Sequence, residues 1–247
     1  MNLGITGRRA AVAAASQGLG FAVARALAEE GVHVAMCSRS RDKIEHAARE
    51  IGNGAVPIVA DVSTADGASG FVGAARDALG GVDIIVPNAP GPPPGNFESV
   101  SLDQYDPAFV LNCLSAIAMC TEALPAMRRQ GWGRVVAITS IAVRQPIANL
   151  ILSNTARAGV TGFLKTVARE VAGDGVTVNS LQPGFHRTER FTGLNHDPDE
   201  VARSIPARAI GRPEDFGAVA AFLCSDGARY ITGSAIPVDG GAYAGLL

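Results

Sequence analysis

The chain has 247 residues, a length suited to one large α/β domain or two small ones. Its 47% hydrophobic residues suffice for a core and exclude intrinsic disorder. A net charge of −2 argues against a nucleic-acid partner or an anionic membrane surface. The chain has 3 tyrosines, and its lysines are Lys43 and Lys165, so no Tyr-x-x-x-Lys sequence occurs.

In chain order, the predicted elements are strand Arg9–Ala15, helix Phe21–Glu30, strand Val32–Cys37, helix Arg41–Ile51, strand Val56–Ala60, a helix capped by Thr64 and ending at Leu79, strand Asp83–Val86, helix Leu102–Arg129, strand Arg134–Thr139, helix Asn149–Ala172, strand Val176–Leu181, helix Glu214–Leu223 and strand Ala235–Val238. This alternation predicts an α/β fold with a parallel sheet covered by helices on both faces. No composition break divides the chain, so we expect a single domain over residues 1–247.

The cysteines show no C-x-x-C spacing, and each lies in an apolar run, which indicates reduced, buried thiols. The chain does not begin with a basic segment followed by a long apolar one, and the apolar runs noted at Val82–Pro87 and Val135–Ile138 are too short to span a bilayer. We therefore expect a cytoplasmic protein without a membrane partner. No metal-ligand spacing occurs among its histidines, so no metal is predicted.

A small-residue turn joins the first strand to the first helix. It contains Ala14, Ser16, Gln17, Gly18, Leu19 and Gly20. Such a turn can place backbone N–H groups and a helix N-terminus against a pyrophosphate. Its position in a complete β-α-β unit favours a dinucleotide site, while a plain strand-to-helix turn is the alternative.

The second strand ends in Ser38, Arg39 and Ser40, where a carboxylate would grip the ribose 2′-hydroxyl of NAD. An arginine can instead pair with a 2′-phosphate, which favours NADP(H). The alternative is that Arg39 belongs to a solvated helix start. We expect Asp61-Val62 beside the adenine and Asn88-Ala89 beside the cofactor ribose.

With these elements in place, the sequence resembles the short-chain dehydrogenase/reductase family over essentially its whole length, and most of all its ketoacyl-carrier-protein-reductase-like members. The matching segments are Ser16–Gly20, Asp61-Val62, Asn88-Ala89, Asn112, Ser140, Pro183-Gly184 with Thr188, and the tail from Gly211 to Gly241. The resemblance implies a Rossmann-type, doubly wound sheet of about seven strands, a homotetramer or homodimer, and hydride transfer at the carbonyl or alcohol carbon of a small-molecule substrate.

In the family a Tyr hydroxyl donates or accepts the proton. A Lys four residues later lowers the pKa of that Tyr and holds the nicotinamide ribose. A Ser polarises the carbonyl and an Asn supports a water chain to the Lys. Here Asn112 and Ser140 fit the Asn and the Ser, whereas the register places Ser153 and Arg157 where the Tyr and Lys are expected. A further departure is Ala14, which stands at the family's first glycine.

These replacements remove the usual proton relay, because a Ser hydroxyl is far less acidic than a Tyr hydroxyl and Arg157 stays protonated. Arg157 can still hydrogen-bond the hydroxyls of the cofactor ribose and stabilise an oxyanion. His186 could donate the proton, or it could be an exposed, inert loop residue. Ser153 could act through a water. Arg144 or Arg187 could polarise a carbonyl, or either could be a solvated or structural charge.

The sequence therefore predicts an atypical NADP(H)-dependent oxidoreductase with an altered proton donor. The alternatives are non-redox chemistry in the same fold, such as isomerisation, dehydration or cyclisation, and a non-catalytic partner subunit. Residues Gly193–Ile205 are expected to cover the substrate, with a polar tip that includes His196. Their short length favours an open site for a bulky substrate.

Overall fold

The computed structural model describes residues 2–193 and 197–246 and contains one parallel sheet of 7 strands in the order β3-β2-β1-β4-β5-β6-β7. The strands are β1 (Arg9–Val12), β2 (His33–Ser38), β3 (Val56–Val59), β4 (Ile84–Val86), β5 (Gly133–Ile138), β6 (Val176–Pro183) and β7 (Ala235–Val238). The predicted α/β class and doubly wound sheet are confirmed. The order reverses between β1 and β4, which opens a ligand crevice at the carboxyl ends of these strands.

Helices pack on both faces of the sheet. Those described are α1 (Gly18–Glu29), α2 (Arg41–Ile51), α3 (Ala65–Leu79), α4 (Tyr105–Phe109), α5 (Ser115–Gln130), α6 (Ile151–Val171), α7 (Glu189–Thr192), α8 (Pro198–Ser204) and α9 (Pro213–Cys224). Alternate residues of β1 show the two-sided burial. Ala11 faces the cluster under α3, α5 and α6, and Ala10 faces the cluster under α1 and α9.

Two predicted boundaries differ in a way that shapes the crevice. The first strand ends at Val12 and not at Ala15, because Ala14 takes a positive φ of 47° and leaves the extended conformation. The first helix begins at Gly18, three residues before the predicted start at Phe21. The connecting turn therefore lies three residues earlier in the chain than the apolar pattern indicates.

The predicted helix Leu102–Arg129 is interrupted. A 3-10 turn at Leu102–Gln104 precedes α4, and a π-helical turn at Val110–Leu114 separates α4 from α5. The apolar spacing predicts one continuous helix here and does not reveal the π turn. The short helices α7 and α8 were not predicted.

The segment Leu102–Gln130 is long and apolar enough to cross a membrane by length and composition, with a mean hydropathy of 1.5. Its residues Met119, Cys120 and Met127 are completely buried against the sheet and α3. Core helices of water-soluble folds pass the same test, and these buried side chains identify the segment as a core helix of this fold.

Candidate active site

The turn after β1 is braced from the neighbouring strand. Asn88, which follows β4, donates from Nδ2 to the carbonyl oxygens of Ala13 and Ala14 at 3.1 and 3.2 Å. A Cβ on Gly20 would lie 2.7 Å from Ala14 O and 2.7 Å from Asn88 Nδ2, so only glycine fits there. The predicted residue Asn88 thus fixes the shape of the turn.

The start of α1 has the features of an anion site. Its N-cap, Gln17, makes no side-chain capping bond, and the first turn carries no acidic residue. The backbone N–H groups of this turn and the positive end of the helix dipole therefore remain available for a pyrophosphate. Thr188 reaches over the turn, since its Cγ2 would lie 3.8 Å from a Cβ on Gly18. These residues fit a dinucleotide.

The end of β2 presents one arginine between two locally bonded serines. Ser38 donates its hydroxyl to Ser40 O at 2.9 Å, and Ser40 Oγ caps α2 by accepting from Lys43 N. Arg39 is exposed and makes no hydrogen bond or ion pair with the described residues. Its guanidinium is thus available to a 2′-phosphate.

Asp61 follows β3 in the same region. Hydrogen bonds from Ser63 hold the pKa of the Asp61 carboxyl below its ordinary value, and the charge of Arg39 adds to this effect. Asp61 is therefore ionised and stays an acceptor for an amino group. The neighbouring Val62 side chain is buried in the core, so only its backbone can face a ligand.

Arg157 lies at the centre of the crevice with its guanidinium turned toward the sheet. Nη1 donates to Ile138 O at 3.1 Å and to Thr139 O at 2.9 Å, and Nη2 lies 3.4 Å from Ala89 O. Burial, with a smaller contribution from the charge of Arg190, lowers the pKa of Arg157 to about 10. At neutral pH Arg157 is therefore a buried cation held by backbone carbonyls.

Asn112 is presented by the π-helical turn and is buried. Its Nδ2 donates to Pro90 O at 3.0 Å, while its Oδ1 has no partner among the described residues. The side chain borders a small cavity that Arg157 and Ala89 also line. The structure thus brings together Asn112 and Arg157, as the sequence pattern predicted.

Ser140 follows β5 and starts a short 3-10 turn. Its Oγ accepts a hydrogen bond from Ala142 N at 3.1 Å, which leaves the hydroxyl proton available for a substrate oxygen. The guanidinium of Arg157 is bonded to the carbonyl of Thr139, one residue earlier. Ser153 is buried on α6, one helical turn before Arg157, and no described residue hydrogen-bonds its hydroxyl.

His186 does not occupy the position expected of a proton donor. Its ring is buried edge-on against Phe216 with centroids 5.3 Å apart, and Nδ1 lies 3.2 Å from Gly184 O. Gly211 packs directly on the ring. Burial lowers the pKa of His186 and keeps it neutral. This geometry does not support the predicted catalytic role, and the alternative of an exposed loop residue is also wrong.

Pro183 and Gly184 close the end of β6. Gly184 N donates to Val238 O at 3.0 Å, and a Cβ there would lie 2.7 Å from Asp239 Cβ. This packing aims the following loop, with Thr188, across the glycine turn. The remaining predicted cofactor residues Ser16 and Leu19 lie in that turn, where Leu19 packs on the core beneath.

Arg144 has a structural position. Its Nε donates to Gln182 Oε1 at 2.8 Å and its Nη2 donates to Ala235 O at 2.6 Å, so it ties the loop after β5 to β6 and β7. Arg187 is exposed.

Of the predicted covering segment Gly193–Ile205, residues 194–196, including His196, lie outside the described residues.

Sequence reasoning missed Arg190, which lies on α7 against the loop after β4. The only available signal was its place just after the Pro183–Thr188 motif.

Among the residues that the structure describes, no group of three or more His, Cys, Asp or Glu side chains is placed to hold a metal ion.

The sequence comparisons agree with this geometry. Residues 13–243 match the family model described as enoyl-(acyl carrier protein) reductase. The 3-oxoacyl-(acyl-carrier-protein) reductase of Synechocystis is 36% identical over 245 residues, which cover 96% of this chain and 97% of the relative. Dehydrogenase/reductase SDR family member 4 of Oryctolagus cuniculus is 33% identical over 241 residues, or 94% and 92% of the two chains. The chain therefore belongs to the short-chain dehydrogenase/reductase family.

Solved structures show the same architecture. The L-sorbose reductase of Gluconobacter frateurii, complexed with NADPH and L-sorbose, has a TM-score of 0.93 and 30% identity and covers 100% of both chains. The actinorhodin polyketide ketoreductase with NADPH has a TM-score of 0.89 and 26% identity over 95% of this chain and 97% of that one. The resemblance found in the motifs is thus confirmed at the level of family and fold.

Proposed function

We propose that the protein is an NADP(H)-dependent oxidoreductase that interconverts a carbonyl and an alcohol on a small molecule without a tyrosine proton donor. The observation that carries the proposal is the uncapped, acid-free start of α1 facing Thr188, with Arg39 free at the end of β2. The NADPH complexes of the related L-sorbose reductase and polyketide ketoreductase support the choice of cofactor.

In the reductive direction, bound NADPH supplies the hydride. Ser140 can donate its hydroxyl hydrogen bond to the substrate carbonyl oxygen, because its own oxygen is already oriented by Ala142 N. The positive charge of Arg157, held one residue from Ser140, lowers the energy of the developing alkoxide. The proton itself then comes from solvent, since neither Ser153 nor the buried His186 is a suitable acid here.

Non-redox chemistry is the second candidate, and the loss of the Tyr and Lys favours it. The same Ser140 and Arg157 could stabilise an enolate during an isomerisation or a dehydration. Incubation with a panel of ketones and aldehydes separates the two: NADPH oxidation matched to alcohol formation supports the redox proposal, whereas product formation without NADPH oxidation contradicts it.

The cofactor choice is tested by Arg39→Ala. We expect the Kd for NADPH, followed by fluorescence, to rise about ten- to a hundredfold with little change for NADH, because a charged hydrogen-bond partner of the 2′-phosphate is lost. Arg41→Ala is the matched control, since Arg41 pairs with Glu45 on the surface of α2. Equal weakening of both nucleotides by Arg39→Ala would contradict the proposal.

A cytoplasmic location and assembly as a homodimer or homotetramer are part of this proposal. The expected assembly comes from the resemblance of the sequence to the short-chain dehydrogenase/reductase family.

A further inference from the structure

A second arginine lies beside the crevice; it is exposed and makes no ion pair with any residue that the structure describes. Arg190 projects from α7 and lays its guanidinium on the backbone of Gly91: a Cβ on Gly91 would lie 2.5 Å from Nη1 and 2.7 Å from Nη2. Gly91 therefore provides the space in which this guanidinium lies flat. Because the loop after β4 is rich in proline, this contact surface is stiff.

The two guanidinium groups flank one short piece of chain. Arg157 Nη2 lies 3.4 Å from Ala89 O, and Arg190 rests on Gly91 two residues further along. Their like charges are close enough for Arg190 to lower the pKa of Arg157. Two cations are thus held near one another beside the loop after β4.

Neither cation has an acidic partner. Within residues 2–193 and 197–246, no Asp or Glu oxygen lies within 4.0 Å of Arg157 or Arg190, whereas Arg76, Arg128 and Arg203 each pair with an acid. Uncompensated like charges raise the energy of the protein, and an anion between them would lower it. A guanidinium also offers paired N–H donors that match the oxygens of carboxylates and phosphates.

The cofactor's own phosphates do not fill this role. The pyrophosphate fits the start of α1, after β1, and the 2′-phosphate fits Arg39, after β2. Arg157 and Arg190 meet instead at the loop after β4, next to the end of β5. The unpaired Oδ1 of the buried Asn112 lines the small cavity that Arg157 also lines.

We propose that the carbonyl or alcohol substrate carries an anionic group, a carboxylate or a phosphate, that binds Arg190 in the field of Arg157. This inference rests on the proposed function for its reaction and names the substrate class of the same site. Arg190 binds the end of the substrate that is remote from Ser140, and the contact with Gly91 holds the Arg190 side chain in place.

Matched pairs of ketones test the proposal. Levulinate is compared with methyl levulinate, and dihydroxyacetone phosphate with dihydroxyacetone, so that the two pairs separate a carboxylate from a phosphate. The wild-type protein should show a higher kcat/KM with NADPH for the anionic member of at least one pair. Arg190→Gln should lower the ratio of anionic to neutral kcat/KM by about ten- to a hundredfold, mostly through KM.

Two further variants separate the effect of the position of the Arg190 guanidinium from the effect of net charge. Gly91→Ala keeps both arginines but displaces the guanidinium of Arg190, whose side chain is flexible enough to move, so the ratio should fall in the same direction by a smaller factor. Arg203→Gln removes a charge from α8 that already pairs with Asp197, and it should leave the ratio unchanged.

Direct binding separates this inference from the redox proposal. Calorimetric titration of levulinate, methyl levulinate and the phosphate pair into the wild type and Arg190→Gln needs no turnover. Anion binding that depends on Arg190 without NADPH oxidation would support the site and contradict the redox function. If no anion binds or reacts better than its neutral partner, or if Arg190→Gln and Arg203→Gln behave alike, the inference is overturned.

Discussion

At the scale of single residues, Ala14 shows how the cofactor turn departs from the family pattern. It takes a φ of 47°, a region in which an L-residue other than glycine is strained by about 1–2 kcal/mol. The surrounding bonds from Asn88 hold the turn in this conformation. The alanine therefore alters the stability of the turn but not its path.

Ala14→Gly should raise the free energy of unfolding by roughly 1 kcal/mol, because glycine relieves the strain at positive φ, and it should not weaken NADPH binding. Urea denaturation measures the first effect and fluorescence titration the second. Ala13→Gly is the control, since Ala13 is buried and has no positive φ, and it should destabilise the protein. Destabilisation by both changes would contradict this account of the turn.

The sequence suggested His186 as a proton donor but did not indicate its packing, in which the ring is buried against Phe216. Burial lowers its pKa below the ordinary value, so as the pH falls below about 6.5 the unfolded chain binds the proton first. The stability that neutral His186 contributes is complete above that pH and is lost as the pH falls through its folded pKa.

His186→Phe should therefore reduce the loss of unfolding free energy between pH 7.5 and pH 5.5, because it keeps the ring contact with Phe216 and removes the titrating nitrogen. Urea denaturation at both pH values measures the difference. His33→Gln, a change at an exposed histidine, is the control variant. An unchanged slope in His186→Phe would show that another group dominates the acid sensitivity.

At the scale of elements, α6 carries the replaced pair. The spacing of four residues from Ser153 to Arg157 was read correctly from the sequence, and both side chains are buried toward the crevice. The sequence could not show that Arg157 turns its guanidinium onto three backbone carbonyls, because that choice depends on β5 and on the loop after β4. The π turn that presents Asn112 was equally invisible in the hydrophobic pattern.

Ser153→Tyr combined with Arg157→Lys should raise NADPH-dependent ketone reduction by at least tenfold, because a positioned acid contributes about 10²–10⁴-fold. Steady-state kinetics on a neutral ketone measures the gain, and circular dichroism verifies folding. Each single change should give less, since the tyrosine needs the lysine to lower its pKa. A folded double variant with no gain would show that the crevice is not aligned for hydride transfer.

At the scale of the whole molecule, the exposed apolar side chains of α4 and the π turn bear on assembly. Phe109 and Leu114 are 37% and 40% exposed on a segment whose other face is buried in the core. These exposed apolar side chains support the proposed association between copies of the chain.

Light scattering should therefore give the mass of a dimer or a tetramer. Leu114→Glu should lower that mass with unchanged circular dichroism, because a carboxylate cannot be buried unpaired in an apolar interface. Val59→Glu on the edge strand β3 is the control, since Val59 is equally exposed but lies at the far side of the sheet. A monomeric wild-type protein would contradict the expectation.

Periodicity and motifs that are local in the chain were enough to predict the α/β class, the sheet of about seven strands, the family and the loss of the tyrosine and lysine. Tertiary structure alone decided where buried polar groups point. It turned Arg157 onto carbonyls at the end of β5 and in the loop after β4, buried His186 against α9 and brought the exposed Arg190 onto Gly91. Each of these contacts joins residues far apart in the chain, so no local pattern could encode it.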